Sequence, residues 1–324
     1  MDTRDMRNGV VNMAVFLQMR DVVKRYGNKL SVDHMNLEVN EGEIFGLLGP
    51  NGAGKSTSIS MICGLLPKDQ GSIKLDGISI EEQPLEVKRR IGLVPQDLAL
   101  YEEMSAWDNV AFFAKLYGLR GHLLKERVEE ALEFVGLQDR AKEKPSTFSG
   151  GMKRRLNIAC SITHRPKLII MDEPTVGIDP QSRNHILESV KTLNRMGSTV
   201  IYTSHYMEEV AAISDRVAIM DQGHVIACGT QQELRARVAH EEKIIITADG
   251  ITPDLVEELT IHPRVRRVTQ NDNEIEVYVP SAQDELQDIL FICSKHHTIL
   301  RSLQCEEPGL ETLFLSLTGR TLRD

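Results

Sequence analysis

Residues 43–56 read Glu43-Ile-Phe-Gly-Leu-Leu-Gly-Pro-Asn-Gly-Ala-Gly-Lys-Ser56, a mostly apolar run that leads directly into a glycine-rich loop. The run up to Leu48 is typical of a strand buried on both faces, and a helical pattern follows the loop. The loop itself fits G-x-x-x-x-G-K-[ST], in which backbone N–H groups surround phosphates at a helix N-terminus. The segment therefore predicts a nucleotide-phosphate site in which Lys55 contacts the β- and γ-phosphates and Ser56 binds Mg²⁺.

Short apolar runs and longer helical patterns alternate from this loop to about Gly229. The further runs are Leu168–Met171, Thr199–Tyr202 and Arg216–Met220, and the helical patterns are Lys55–Cys63, Lys125–Val135, Met152–His164 and Ser182–Arg195. Parallel neighbouring strands need a crossover connection, which is usually a helix. The alternation therefore predicts a mainly parallel α/β sheet.

The run Leu168–Met171 ends in two carboxylates, Asp172 and Glu173. Ligands of parallel sheets bind at the carboxyl ends of the strands. In a chain with a phosphate-binding loop, we expect Asp172 to hold Mg²⁺, directly or through water, and Glu173 to polarise an attacking water. An acidic pair after a strand is also a common helix cap, and many nucleotide hydrolases fit these residues.

A second phosphate-binding pattern lies at Ser149-Gly-Gly151, where two glycines lead into the helical pattern from Met152. One nucleotide needs only one such loop, so the second is unexplained at this point. The alternative is an ordinary serine N-cap followed by flexible glycines. The basic residues Lys153, Arg154 and Arg155 are expected to lie on a solvated helix face.

Composition excludes several classes of protein. The chain has 324 residues, of which 41% are hydrophobic and 26% charged, as in globular proteins. No apolar run approaches the roughly 18–20 residues that span a bilayer, and the first residues lack the apolar core of a signal peptide. Five cysteines without C-x-x-C spacing argue against disulfides or a zinc cluster and favour reduced thiols in a cytosol. The net charge of −9 disfavours nucleic-acid binding.

Three segments are expected along the chain: a flexible N-terminal tail at 1–14, a large α/β domain at 15–235 and a small α+β domain at 236–324. In the last segment the pattern predicts the order β-α-β-β-α-β, which suits a ferredoxin-like unit. The predicted strands are Lys243–Thr247, Val265–Thr269, Glu274–Val279 and Thr298–Leu303, and the helices are Pro253–Leu259, Ala282–Cys293 and a terminal Leu310–Leu317.

Taken together, these motifs resemble the nucleotide-binding subunit of ABC transporters, in order and spacing, across roughly residues 15–235. Five further matches support the resemblance: Tyr26, Gln96 in Val-Pro-Gln-Asp97, the signature loop Phe148–Met152, the loop Val176–Pro180 with Asp179, and His205. The implied fold is that of a P-loop NTPase, an ABC-type nucleotide-binding domain with a helical signature subdomain.

The resemblance implies a role for each matching residue. Tyr26 stacks on adenine, Gln96 touches Mg²⁺ and the attacking water, Asp179 crosses to a second subunit, and His205 contacts the γ-phosphate. The implied catalytic residues are Glu173, His205, Lys55 and Gln96, and the implied Mg²⁺ ligands are Ser56, Gln96 and Asp172. The implied ATP-binding residues are Tyr26, Gly49, Pro50, Asn51, Gly52, Ala53, Gly54, Lys55, Ser56, Thr57, Ser149, Gly150, Gly151 and Asp179.

Met152 stands where the family usually has Gln, and Val176 where it often has Ser, and neither change removes a phosphate contact. With the tail Pro308–Arg323, these departures resemble ABC-2 type exporter ATPases related to daunorubicin-resistance subunits. This subgroup implies an ATP hydrolase with ATP and Mg²⁺ as cofactors, bound peripherally at the cytoplasmic face of the membrane. The implied partners are a separate integral membrane permease and a second copy or a paralogous ATPase subunit, whose P-loop faces the signature loop.

Two hypotheses for the function remain open. In the first, the ATPase powers export of a drug, antibiotic or other amphipathic cargo, and the permease docks at Leu98–Tyr101 and Trp107–Phe113, whose apolar residues could equally be core. In the second, a soluble ABC-type ATPase acts on nucleic acid or the ribosome. The absence of paired cassettes or a long coiled-coil insertion argues against the second. The apolar stripe of Leu310, Leu313, Phe314 and Leu317 suggests dimer contacts.

Overall fold

The computed structural model describes residues 14–236, 242–306, 310, 313 and 314. The chain divides into two compact units, with the boundary between Thr230 and Gln231. The sequence placed this boundary near residue 235. The predicted flexible tail at 1–14 lies outside the described residues, apart from Ala14. In the described part of the chain, no helix is long and apolar enough to cross a membrane.

The first unit contains ten strands and seven helices among its described residues. The strands are β1 (Val15–Tyr26), β2 (Lys29–Asn40), β3 (Ile44–Leu48), β4 (Gln70–Leu75), β5 (Ile78–Ser79), β6 (Ile91–Val94), β7 (Leu168–Asp172), β8 (Thr199–Ser204), β9 (Arg216–Asp221) and β10 (His224–Thr230). The helices are α1 (Lys55–Ile62), α2 (Pro84–Arg90), α3 (Ala106–Leu116), α4 (Gly121–Phe134), α5 (Gly150–Ile162), α6 (Pro180–Arg195) and α7 (Met207–Ile213).

The predicted parallel sheet is present, in the order β10-β9-β3-β8-β7-β6. Strands β9, β3, β8, β7 and β6 run parallel, and β10 pairs antiparallel with β9 at one edge. Every residue of β3 and β7 is buried, as their unbroken apolar runs predict for strands covered on both faces. Because the strands are parallel, the ends of β3, β7 and β8 share one edge, and the candidate site forms there.

A second sheet in the first unit was not predicted from the sequence. It is antiparallel, with the order β2-β1-β4-β5, and its long hairpin β1–β2 contains several register shifts. Each shift moves the buried residues out of strict alternation, which weakens the period-2 signal of a strand. Its apolar residues, such as Leu17 and Val39, share one core with residues of β3 and α1.

Helices α3, α4 and α5 pack against one another and form the predicted helical subdomain, between β6 and β7 in the chain. Ser105 caps α3 by accepting a hydrogen bond from the N–H of Asp108. The buried amide of Asn109 closes the preceding loop, since its Nδ2 donates to the carbonyl of Tyr101 and its Oδ1 accepts from the Tyr101 N–H. The segment after Gln96 is thereby held against α3.

The second unit begins with α8 (Gln231–Arg235) and contains the predicted β-α-β-β-α-β order. Its elements are β11 (Glu242–Asp249), α9 (Pro253–Ile261), β12 (Arg267–Asn271), β13 (Glu274–Val279), α10 (Ala282–Lys295) and β14 (Ile299–Glu306). The sheet order is β12-β13-β11-β14, and all described pairs are antiparallel. Ile244, Ile246, Leu255 and Ile289 lie in the core between this sheet and its two helices.

The apolar stripe near the C-terminus does not have the exposure that a dimer contact requires. Leu310, Leu313 and Phe314 are all buried. A hydrophobic stripe at helical spacing is ordinarily buried by its own chain, and that holds for these residues. The expectation of dimer contacts is therefore wrong for these three, and Leu317 lies outside the described residues.

Candidate active site

The glycine-rich loop connects β3 to α1, and its glycines are required by close backbone contacts. A Cβ on Gly49 would lie 2.5 Å from the carbonyl oxygen of Met220, and one on Gly54 would lie 2.4 Å from that of Ser31. Gly54, which caps α1, has φ of +104°, and Gly52 has φ of +81°. Only glycine adopts these conformations without strain, so the loop can curve around the N-terminus of α1.

Lys55 lies at the first position of α1 and is buried. Its Nζ donates to the carbonyl oxygens of Gly49 at 2.7 Å and Pro50 at 3.2 Å. It also lies 3.2 Å from Oε1 of Glu173. The structure thus places the lysine of the loop and Glu173, the second of the two carboxylates at the end of β7, in direct contact as an ion pair.

The two carboxylates after β7 are ordered by Thr203, which sequence reasoning did not identify. Its hydroxyl Oγ1 donates to Oδ1 of Asp172 at 2.7 Å and accepts from the backbone N–H of Glu173 at 2.9 Å. Glu173 has φ of +46°, an unusual conformation for a residue other than glycine, and this hydrogen bond helps to hold it. Asp172, Glu173 and Thr203 are all buried.

His205 lies in the two-residue connection between β8 and α7. Its Nδ1 is 3.3 Å from Oε2 of Glu173, so Glu173 contacts both Lys55 and His205. The buried carboxylate of Glu209 in α7 accepts hydrogen bonds from the Tyr202 hydroxyl at 2.9 Å and the Ser204 hydroxyl at 3.1 Å. These bonds fix α7 to β8 and thereby the position of His205.

A cavity of about 250 Å³ lies over the loop. It is lined by Lys29, Ser31, Pro50, Asn51, Gly52, Gly54, Lys55, Ser56, Thr57, Gln96 and Glu173. Tyr26 is not among the lining residues, but it pairs with Lys29 across the β1–β2 hairpin, and its side chain is 52% exposed. Lys29 and Ser31 were not predicted, and only their positions as the first and third residues after the hairpin turn at Gly27–Asn28 could have suggested them.

The donors around this cavity fit Mg²⁺, which prefers oxygen ligands. The Ser56 hydroxyl and the Gln96 side chain line the same cavity. Glu173 also lines the cavity, and Asp172 precedes it in the chain. The residues singled out from the sequence as Mg²⁺ ligands are therefore oxygen donors at one end of the sheet.

The second phosphate-binding pattern is the start of α5. Ser149 is its N-cap and accepts a hydrogen bond from the Met152 N–H at 3.3 Å, and both Ser149 and Gly150 are exposed. Gly151 is buried, and a Cβ there would lie 2.2 Å from Oγ of Ser182. Gly151 is thus required for the packing of α5 on α6, whatever it contributes to phosphate binding.

Asp179 is the N-cap of α6, where its Oδ1 accepts from the Ser182 N–H at 2.9 Å. This hydrogen bond holds the pKa of Asp179 below its ordinary value. A Cβ on Gly151 would lie 3.5 Å from Oδ2 of Asp179. The structure therefore brings the signature loop and Asp179 together.

Arg154 connects the signature helix to Gln96, and the expectation of a solvated basic face is wrong for it. Its side chain is 4% exposed. Its two terminal nitrogens donate to the carbonyl oxygens of Pro95 at 2.7 Å and Gln96 at 2.6 Å. Buried charges require partners, and two backbone carbonyls supply them here. Arg155 is half-buried and donates to the carbonyl of Val135 at 2.7 Å.

The apolar residues after Gln96 divide between the core and the surface. Val110 and Ala111 are buried in the helical subdomain, whereas Leu98 is 41% and Tyr101 49% exposed. The ring of Tyr101 lies 5.0 Å from that of Phe112, which in turn lies 5.5 Å from that of Phe113. The apolar residues of these segments are therefore partly core residues and partly exposed, and docking of a permease on the exposed ones stays a prediction.

Comparison with known proteins agrees with this geometry. Residues 32–176 match the family model described as ABC transporter. The chain is 50% identical to the linearmycin resistance ATP-binding protein of Bacillus subtilis (strain 168), over 95% of this chain and 100% of that protein. It is 33% identical to the daunorubicin/doxorubicin resistance ATP-binding protein of Streptomyces peucetius, over 95% of this chain and 94% of that protein.

A solved structure shows the same fold in a nucleotide-bound state. It is a dimeric, post-hydrolysis ATP-binding cassette bound to ADP and Pi, with a TM-score of 0.61 and 26% identity. The match covers 66% of this chain and 98% of that chain. The predicted fold and the predicted ATP hydrolase activity are thereby confirmed. This chain belongs to the ABC transporter family, as one of its ATP-hydrolysing, ATP-binding subunits.

Proposed function

We propose that this subunit hydrolyses ATP to power export of an amphipathic compound, such as a drug or antibiotic, through a separate ABC-2 type membrane permease. The observation that carries the proposal is the 50% identity over the full length of a linearmycin resistance ATP-binding protein. This similarity includes the second unit, which lies outside the matched family model. The site geometry supports hydrolysis, and the relatives' names support export as its use.

In the proposed reaction, the chain positions a water molecule and stabilises charge on the γ-phosphate. Glu173 orients the water and accepts its proton, because its carboxylate lies beside Lys55 and His205 at the end of the sheet. Lys55 and His205 stabilise the negative charge that spreads over the γ-phosphate. Ser56, Gln96 and Asp172 would hold Mg²⁺, which supplies positive charge to the phosphates when bound.

Two subunits are proposed to form each composite site. Ser149 and Gly150 are exposed at the N-terminus of α5, where a helix can bind an anion. The loop Gly49–Ser56 already provides a phosphate site for one nucleotide, so this second site is available to the nucleotide of another subunit. In a two-fold dimer, Ser149 of each subunit would serve the nucleotide of the other, with Asp179 beside it. The second subunit is a copy of this chain or a paralogue.

The permease is proposed to dock on the surface formed by Leu98, Tyr101, Phe112 and Phe113, which we call the aromatic surface. Its two exposed side chains, Leu98 and Tyr101, lie two and five residues after Gln96, and Phe112 and Phe113 are half-buried next to Tyr101. Arg154 in the signature helix α5 donates to the backbone carbonyl of Gln96. A displacement of the aromatic surface would therefore also move Gln96 and α5. Docking there would place the subunit at the cytoplasmic face of the membrane.

Purification of the tagged chain from detergent-solubilised membranes of its own cells tests the proposal. Wild-type protein should recover an integral membrane protein, and the Tyr101→Ser variant should recover much less. Leu123→Ser is the matched control, because Leu123 is also exposed but lies on α4. ATP turnover of each purified variant shows whether the fold is intact. Equal recovery by both variants would remove the aromatic surface from the docking role.

The alternative function gives a different result. If the chain acts on nucleic acid or the ribosome, no membrane protein should be recovered, and RNA, DNA or ribosomes should stimulate ATP turnover. The net charge of −9 argues against this outcome. Stimulation by nucleic acid without any membrane partner would replace the export proposal.

A further inference from the structure

Three metal-ligating side chains converge in the second unit, far along the chain from the ATP site. His262 is the C-cap of α9, and Glu285 and Asp288 lie in the first half of α10. One ligand atom from each of the three lies within 4.8 Å of the other two. Nε2 of His262 is 3.7 Å from Oδ2 of Asp288. We call this group the α9–α10 cluster.

Two atoms of the α9–α10 cluster are buried without a hydrogen-bond partner among the described residues. Glu285 is 2% exposed, and its Oε1 accepts from Arg264 at 2.7 Å. Its Oε2 is buried and unpartnered, and so is Nδ1 of His262. Buried polar atoms nearly always have partners, and a carboxylate oxygen is among the most costly to leave without one. Because Nε2 of His262 is the ring nitrogen that lies near Asp288, a cation bound there would supply a partner to Oε2 of Glu285.

We propose that the α9–α10 cluster binds a zinc-type divalent cation. One imidazole nitrogen and two carboxylate oxygens form a donor set that suits Zn²⁺, whereas Mg²⁺ and Ca²⁺ prefer oxygen donors alone. The fourth position is open to water, because His262 and Asp288 line a cavity of about 340 Å³. Arg264 occupies Oε1 of Glu285 and so orients the carboxylate, as residues behind metal ligands commonly do.

The local charge is compatible with a divalent cation. Glu285 and Asp288 carry two negative charges and Arg264 one positive charge, which leaves a net charge of −1 when His262 is neutral. The neighbouring pair of His296 and Glu258 is already hydrogen-bonded at 2.6 Å and needs no cation. The cation would join the end of α9 to the start of α10 and hold both helices on one face of the sheet. Because it binds only the folded arrangement, it would stabilise this unit.

The test uses the full chain, freed of metal by a chelator and kept without nucleotide or Mg²⁺. Zn²⁺ equivalents are counted by titration, and hydrogen exchange is followed over α9 and α10. Asp288→Asn is the main variant, because Asp288 has a side chain that is 63% exposed and its change leaves the fold alone. Asp284→Asn is the control, since Asp284 lies exposed one turn earlier on the same helix.

Wild type and Asp284→Asn should bind one more equivalent of Zn²⁺ than Asp288→Asn, or bind it at least tenfold more tightly. Zn²⁺ should slow exchange at the end of α9 and the start of α10 in the first two proteins only. His262→Gln should behave like Asp288→Asn, and Co²⁺ should give the visible spectrum of four-coordination in wild type. Equal Zn²⁺ binding by wild type and Asp288→Asn would overturn the proposal, as would equal protection by Mg²⁺.

Discussion

Single side chains at the carboxyl edge of the parallel sheet form the candidate active site. Glu173 contacts Lys55 on one side and His205 on the other, and the hydroxyl of Thr203 fixes its backbone. Thr203 also bonds to Asp172, so one buried hydroxyl orders both carboxylates. Thr203 thus fixes the two acidic residues relative to each other, and such fixed groups are what a preorganised site uses to stabilise charge.

Glu173→Gln should abolish turnover while ATP binding persists. Glutamine has the same shape but accepts no proton from water, and loss of a general base costs about 100- to 10,000-fold in kcat. ATP-dependent dimerisation, measured by light scattering, should be retained or increased because hydrolysis no longer reopens the dimer. Glu208→Gln is the control, since Glu208 is exposed in the first turn of α7. Normal turnover by Glu173→Gln would remove Glu173 from the role of base.

Gly150 and Gly151 are neighbours, but only Gly151 lacks room for a side chain. Alanine at each position should therefore give a different defect. Gly151→Ala should lower the free energy of unfolding by about 1–3 kcal/mol, because the new methyl group would overlap Ser182. A Cβ on Gly150 meets nothing closer than 3.9 Å, so Gly150→Ala should leave stability unchanged or raise it. Gly150→Ala should nevertheless reduce ATP turnover, if the exposed loop contacts the second subunit's nucleotide.

Urea unfolding and ATP turnover separate these effects. Adding Ser182→Gly to Gly151→Ala should recover most of the lost stability, because it removes the overlapping atoms. Gly150→Ala with full activity would contradict the role proposed for the exposed start of α5.

At the scale of elements, Arg154 couples the signature helix α5 to the segment that carries Gln96. The guanidinium donates to two consecutive carbonyls, those of Pro95 and Gln96. Gly151 of the same helix packs on Ser182 in α6. A displacement of α5 would therefore move both Gln96 and α6, whose N-cap is Asp179. We expect the signature loop, Gln96 and Asp179 to move together.

Arg154→Lys should lower kcat several-fold with little change in ATP affinity. Lysine lacks the planar guanidinium that donates to two carbonyls at once, so the backbone of Pro95 or Gln96 would lose a hydrogen bond. Hydrogen exchange over residues 93–100 should become faster. Arg155→Lys is the matched control, because Arg155 donates to the carbonyl of Val135 within the helical subdomain. If both variants behave alike, the loss reflects the helical subdomain in general and not the link to Gln96.

At the scale of the whole molecule, the stability of the first unit should depend on mildly acidic pH through His164. Its imidazole stacks on the ring of Tyr117, with ring centroids 3.5 Å apart, and lies 3.0 Å by Nε2 from the carbonyl of Ile91. Burial lowers the pKa of His164 from 6.5 to about 4. Below pH 6.5, His164 therefore binds a proton in the unfolded chain but stays neutral in the folded state until the pH approaches 4.

The stabilisation from neutral His164 is complete above pH 6.5 and is lost as the pH falls towards 4, at a cost of up to about 3 kcal/mol. Urea unfolding at pH 7.5 and pH 5 measures this loss. His164→Phe keeps a ring on Tyr117 but does not titrate, so its stability should fall less over the same interval. Parallel losses in both proteins would assign the acid sensitivity to other groups.

Much of the fold could be predicted because it rests on local patterns. The unbroken apolar runs of β3 and β7 gave the parallel sheet, and the order of elements in the second unit followed from periodicity. The antiparallel sheet of β1, β2, β4 and β5 was missed, since its register shifts blur the alternation. Thr203 and Arg154 were missed as well, because their contacts join residues 31 and 58 positions apart.

The sequence by itself determined the motifs of this protein: a glycine-rich loop at Gly49–Ser56, carboxylates at the end of a buried strand, and two glycines after Ser149 at a helix start. These signals are local, because the chain must offer particular residue types at fixed spacing to bind phosphate. Only the tertiary structure decided which groups meet. Packing placed Glu173 between Lys55 and His205, buried Arg154 beneath Gln96, and fitted Gly151 against Ser182. Such contacts depend on how distant elements pack, which no local pattern encodes.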